Sequence, residues 1–296
     1  MRSNRPSLCH FGIFIFAVLL VCTGVHAQTP SSTPSPTPSS SPSLEKKFFK
    51  NILRDQKAIW TSPAHVHGND VPWLLTLGVA AGGFIATDRA TGDDMAKHTG
   101  QLDASRFISY AGSIYGVGGE AATFYLIGRA THNQRARETG IISAEAIIDT
   151  QIVANALKGI TQRARPFDGK DRSKFFVGGS SFPSGHSIEA WSVATVVASE
   201  YHDHLAVQIA SYAVASAVSA SRFTGLHHYL SDVLVGSAMG YGIGRYVYKA
   251  HHRETGANPS GPEDEDNFSQ SKRLPAIAAW YGRRAHDYGV ALTWSF

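Results

Sequence analysis

Three short stretches of this 296-residue chain gather side chains that bind or attack an anion. In KGITQRARP, Lys158 and Arg165 stand seven positions apart, two helical turns, so one helix face would carry both charges. Pro166 disfavours helix at Arg165, which makes this a helix end, where cations are favourable in their own right. In SSFPSGHSIEAW, Pro183, Ser184 and Gly185 sit where an apolar helix begins. Backbone N–H groups at such a start are unpaired, and Gly185 would let an anion approach them closely. Ser184 adds a hydroxyl, and His186 would stand beside the anion as a proton carrier. In SRFTGLHHYLSD, Arg222 offers a planar fork that matches a phosphate edge. His228 and Asp232 are four apart and would share a helix face. A carboxylate bonded to one imidazole nitrogen fixes the tautomer and frees the other nitrogen as nucleophile or base. His227 would point about 100° away and reads as a bystander.

Each stretch has an ordinary explanation when taken alone. These are a solvated basic helix end, a serine cap with a surface histidine, and an exposed His–Asp pair. Together they would place three cations, a helix N-terminus, two histidines and one orienting carboxylate at one end of a bundle.

The elements that must position them are helical. Leu44 to Trp60 is amphipathic, with Phe48, Ile52 and Ile59 on one face. Apolar runs follow at Trp73–Ala86, Phe107–Ile127, Thr139–Ile160, Gly185–Tyr201, Leu205–Ala220 and Ser231–Tyr248. The expected fold is all-α, a bundle of about six core helices plus the leading amphipathic one. Only YGVALTWSF, from Tyr288, shows β-like alternation, as one short strand or an extended end.

Residues 1–27 read as a secretory signal, with Arg2 and Arg5 ahead of the short apolar run Phe11–Val21 and a small-residue cleavage site at Ala27. Residues 28–45 are a Pro/Ser/Thr-rich linker too polar to repay the entropy of folding. The bundle is expected over 46–255 and a tail over 256–296. Both cysteines, Cys9 and Cys22, fall in the signal, so no disulfide, thiolate or Cys-based metal site is expected in the mature chain. The 14 histidines include close pairs (His65 and His67, His202 and His204, His251 and His252), but none has metal-site spacing, and they read as solvated. Charged residues make up 17% of the chain against about 25% in ordinary soluble proteins. A net charge of +4 is too weak to argue for nucleic acid. The best candidates for a span, Val71–Thr87 and Leu205–Ser221, are each 17 uncharged residues long, slightly short of a full span. The reading is an exported, periplasmic or envelope protein, soluble in the first instance, with membrane association as its competitor.

The three stretches resemble the signature of the phosphatidic acid phosphatase type 2 superfamily. That family includes lipid phosphatases, bacterial nonspecific acid phosphatases and vanadium haloperoxidases. Its pattern appears here as Lys158…Arg165-Pro166, Pro183-Ser184-Gly185-His186 and Ser221-Arg222…His228…Asp232, across 75 residues. The resemblance implies a metal-independent phosphohydrolase that needs no cofactor and acts on a phosphorylated small molecule or lipid. It further implies that His228 attacks phosphorus, Asp232 orients His228, and His186 protonates the leaving oxygen. Lys158, Arg165, Ser184, Gly185 and Arg222 would hold the phosphoryl oxygens. The same cradle would hold vanadate in a haloperoxidase, and an envelope protein with an idle anion pocket is the non-catalytic alternative.

Overall fold

The computed structural model describes residues 44–68, 70–98 and 100–252, together with the backbone of two later strands. The expected signal and most of the linker lie outside the described residues. Eight α-helices occur among the described residues: α1 (Leu44–Thr61), α2 (Val71–Met95), α3 (Leu102–Ala111), α4 (Ile114–Ala130), α5 (Gln134–Thr161), α6 (Gly185–Glu200), α7 (Leu205–Thr224) and α8 (Leu230–His252). The all-α bundle expected from periodicity is the observed fold. The apolar run Phe107–Ile127 is two helices rather than one. It breaks at Ser113, whose hydroxyl accepts the Gly116 N–H at 3.2 Å and so caps α4. In the same way Asn133 caps α5 by accepting from the Ala136 N–H at 3.0 Å.

Helix α6 is the centre of the bundle, packing on α4, α5, α7 and α8. Ile142, Ile188, Val196 and Val247 are fully buried where α5, α6 and α8 meet. The α6–α8 contact is backbone to backbone. Gly236, Gly240 and Gly244 form a stripe along α8, and a Cβ on them would come within 2.8, 2.3 and 2.5 Å of the Ser184, Ile188 and Ser192 carbonyl oxygens. This close approach sets the start of α8 against the start of α6.

Helix α2 is the exception, since only Asp88 and Gly92 of its 25 residues are buried. Two helices among the described residues are long and apolar enough to cross a bilayer, α2 and α5. The apolar window of α5 is 61% buried in the bundle and that of α2 only 6%. The run Leu205–Ser221, flagged by its lack of charge, became α7 and is not one of the two.

The chain divides after Gly256. In the second unit, β1 (Ala276–Gly282) and β2 (Asp287–Thr293) pair antiparallel, with Trp280 opposite Gly289. The alternating tail therefore supplies one strand of a hairpin, and its last three residues lie outside the described ones.

Candidate active site

The three stretches meet at one end of the bundle. Helix α5 stops at Thr161, and Gln162 turns the chain through a left-handed conformation (φ 45°). Lys158 is therefore on the last turn of α5, and Arg165 lies beyond it in the connecting segment. The two-turn spacing expected of a continuous helix does not apply; the turn brings the charges together instead. Arg165 is fixed by donating from its backbone N–H to Asp168 (2.6 Å) and from its guanidinium to the Ser180 hydroxyl (3.3 Å).

Ser184 is the N-cap of α6 but accepts no backbone N–H there; its hydroxyl instead accepts from Ser187 at 2.9 Å. The first amides of α6 thus keep their unpaired, anion-seeking character. Ser184 itself is tied down by its own N–H, which donates to the Asp232 carbonyl at 3.1 Å. A Cβ on Gly185 would stand 3.1 Å from Lys158 Nζ, so glycine keeps space open between the amide and the ammonium.

Arg222 closes the cup from the last turn of α7 and is 6% exposed. Its Nε is buried and has no hydrogen-bond partner among the described residues. A buried guanidinium nitrogen left unmatched is costly unless something else bonds to it. Burial and then the nearby Arg165 charge push Arg222 down to about 10, still protonated at neutral pH.

His228 is not on a helix. It lies in the turn Gly225–Tyr229, and α8 begins only at Leu230. The helix-face argument for pairing it with Asp232, and for setting His227 aside, rests on a helix that is absent there. The geometry is more indirect. His228 Nδ1 donates to the Ser181 carbonyl at 2.7 Å and stands 3.8 Å from Asp232 Oδ2. The ring proton is therefore on Nδ1 and the lone pair on Nε2. Asp232 spends its oxygens elsewhere. Oδ2 accepts from the Ser181 hydroxyl (2.5 Å) and the Tyr229 N–H (2.9 Å), and Oδ1 from Arg163 (2.5 Å). Burial alone would raise the Asp232 carboxyl, but the imidazole, the guanidinium and the serine hydroxyl together hold it below the usual carboxylate range.

The sequence reading passed over Arg163, Ser181, Ser231 and Asp88. Arg163 is fully buried and bonds Asp88 (2.8 Å), Ser231 (2.7 Å) and Asp232. Its one available signal was Asp88, a lone acid closing the uncharged run of α2.

The charge of the cup is lopsided. Burial, followed by Arg222, His228 and Lys158, pushes His186 down to about 3, and His227 falls to about 4 for similar reasons. Burial, with Arg222 and Arg165, also lowers His228 against the pull of Asp232. Among the histidine pairs set aside as solvated, His251 is in fact fully buried, donating from Nε2 to Asp55 at 2.6 Å, far along α8 from the cup.

Residues 139–255 match the family model described as PAP2 superfamily. Over 70 residues the chain is 39% identical to the lipid A 1-phosphatase of Porphyromonas gingivalis, covering 23% of this chain and 16% of that enzyme's length. Among solved structures it resembles the transmembrane PAP2 type phosphatidylglycerolphosphate phosphatase from Bacillus subtilis (22% identity, 70% of this chain and 96% of that one, TM-score 0.46). It also resembles LpxE of Aquifex aeolicus (21% identity, 51% of this chain and 88% of that one, TM-score 0.42).

Proposed function

From the premise that residues 139–255 form a PAP2 superfamily domain, we propose that the chain is a phosphatase working through a phosphohistidine. Its substrates are phosphomonoesters or diphosphates. His228 Nε2 attacks phosphorus in line, the bond to the leaving oxygen breaks, and His186 gives that oxygen its proton. Water then gives a proton to His186 and displaces His228, releasing inorganic phosphate. Lys158, Arg165, Arg222, Ser184 and the Gly185 amide hold the oxygens over which charge spreads. Positioned donors of this kind supply much of the catalysis in phosphoryl transfer, and three fixed cations need no metal beside them.

One observation carries the reading: a buried, unmatched Arg222 Nε stands in the same cup as an imidazole tied through Nδ1. Burial and the surrounding cations are what hold His186 down. A phosphate dianion offsets the surrounding cations, so His186 takes up its proton together with the substrate.

The preferred substrate is a lipid phosphate. Helix α2 exposes Trp73, Leu75 and Val79, at 70%, 64% and 68%, and its only buried residues lie at the end beside the cup. With its apolar stretch in a bilayer, the cup would sit at the headgroup level. The test uses the full chain with vesicles containing phosphatidic acid, against p-nitrophenyl phosphate, with EDTA present throughout. Phosphate release that persists in EDTA and is faster from vesicles is expected. Leu75→Asp should weaken vesicle binding and spare p-nitrophenyl phosphate hydrolysis. Loss of release in EDTA, or bromide oxidation with vanadate and peroxide in place of phosphate release, overturns the reading.

A further inference from the structure

Behind the cup, Asp88, Arg163 and Asp232 form a chain of charges with no exposure to water. Arg163 uses one terminal nitrogen for Asp232 and Ser231 and the other for Asp88. Its guanidinium carbon stands over both the Phe175 and the Tyr229 ring, 4.7 Å from each ring centre. Asp88 is held in turn by the Ser231 N–H at 3.3 Å and by the Ser231 hydroxyl. Neither Arg163 nor Asp88 faces the cup, so neither touches a substrate. We propose that Arg163, backed by Asp88, is a positioning residue that fixes Asp232 and limits its negative charge, and thereby keeps His228 neutral and aimed at phosphorus.

The argument is one of charge and distance. A nucleophilic imidazole must keep a lone pair on Nε2. Asp232 stands 3.8 Å from His228 Nδ1 and, unopposed in a dry site, would pull a second proton onto the ring. Arg163 at 2.5 Å from the same carboxylate offsets that pull. Asp88 claims part of the Arg163 charge, so the counterweight is partial rather than complete. Counting both acids as carboxylates, the chain carries one net negative charge. The other groups facing His228 are the Ser181 carbonyl, Arg165 from the segment after α5, His186 from α6, Arg222 from α7 and the adjacent His227. Arg165 and Arg222 are cationic and the two other imidazoles neutral, so among the described residues the Asp88–Arg163–Asp232 chain is the source of negative charge at the His228 ring.

This inference rests on the phosphatase reading for its meaning but can be tested without it. The full chain carrying 15N-imidazole histidine is titrated by NMR in detergent micelles, with His228 assigned by the signal missing in His228→Gln. Removing Arg163 (Arg163→Gln) leaves two negative charges in the chain; Asp88→Asn leaves none; the double variant restores one. The His228 midpoint should therefore be lowest in Asp88→Asn, higher in wild type, higher again in the double variant, where Asp232 has lost its near counterweight, and highest in Arg163→Gln. A role confined to folding would not give this order, and in particular would not bring the double variant below Arg163→Gln. Arg163→Gln leaves two buried acids unpaired. If it does not fold, wild type, Asp88→Asn and the double variant still fix the order, and a reversal between any two folded proteins overturns the proposal. On substrate, Arg163→Gln should lose about 100-fold in kcat with KM changed less than about threefold, and Arg163→Lys should recover part of the loss. A wild type that releases no phosphate while the titration order holds would sink the phosphatase reading and leave the positioning role standing.

Discussion

The charge chain behind the cup and the polar cluster that seats α1 are both withdrawn from water, but they are balanced differently. Behind the cup, every oxygen of Asp88 and Asp232 accepts a bond from Arg163, a serine or a backbone N–H. At the α1 seat, Asp55 meets His251, Asn51 donates to Glu145 at 3.0 Å, and Gln56 donates to Asp149 at 2.8 Å. There Glu145 Oε2 and Asp149 Oδ2 are buried without hydrogen-bond partners among the described residues. Burial pushes both carboxyls up to about 7. The first network holds its charges in fixed places, as a site that handles phosphate requires. The second holds protons, as a seat for a helix can. A buried network saturated with donors is committed to one charge state; one with spare acceptors answers to pH.

The contrast breaks most sharply at the cup. His228→Ala should lower turnover at least about 10⁴-fold with the fold intact, as expected when a covalent nucleophile is lost. Rapid quench of wild type into alkaline detergent with 32P-labelled substrate should trap an alkali-stable, acid-labile phosphoenzyme that this variant lacks. His186→Ala should cost about 10²–10⁴-fold, the usual worth of a general acid, and the loss should shrink for substrates with good leaving groups. An equal loss on p-nitrophenyl phosphate and on an alkyl phosphate would remove His186 from the acid role.

At the α1 seat the effect should fall on stability instead. Asp55→Ala leaves the buried His251 Nε2 and the Tyr246 hydroxyl without their acceptor and should cost about 3 kcal/mol in denaturant unfolding, with kcat near wild type. A matching loss of kcat would join the two regions. The smallest effect is in the pH dependence. A carboxyl whose folded pKa lies above its unfolded value binds more protons in the folded chain. Its stabilisation is then present at low pH and lost as pH rises through that window. For Glu145 and Asp149 the window runs from their ordinary values of 4.5 and 3.8 up to about 7. The melting temperature should fall between pH 5 and pH 7, and Glu145→Gln should flatten that slope. A slope unchanged in Glu145→Gln would put the titration elsewhere.

The helical fold was legible because apolar spacing reports it directly, and the cup was legible because its parts lie in three compact stretches. Two things were not. His228 and Asp232 do stand together, at 3.8 Å, but not on one helix face, because Gly225 and Leu226, the latter at φ 58°, break the helix between α7 and α8. Spacing cannot reveal a turn that tertiary bonds impose. Arg163 was hidden because its meaning depends on Asp88, 75 positions away, and on rings that only the folded chain brings over it. His251 was misread as solvated for the same reason: its partner Asp55 lies on the first helix.

The glycine stripe on α8 has one more consequence. Where two main chains touch this closely, the floor of the cup has nothing to remodel: even a single methyl group at Gly240 would collide with the Ile188 carbonyl of α6. New substrate preferences would have to arise at the mouth, in the Phe167–Ser180 connection and the exposed helix α2, while the chemistry beneath stays the same.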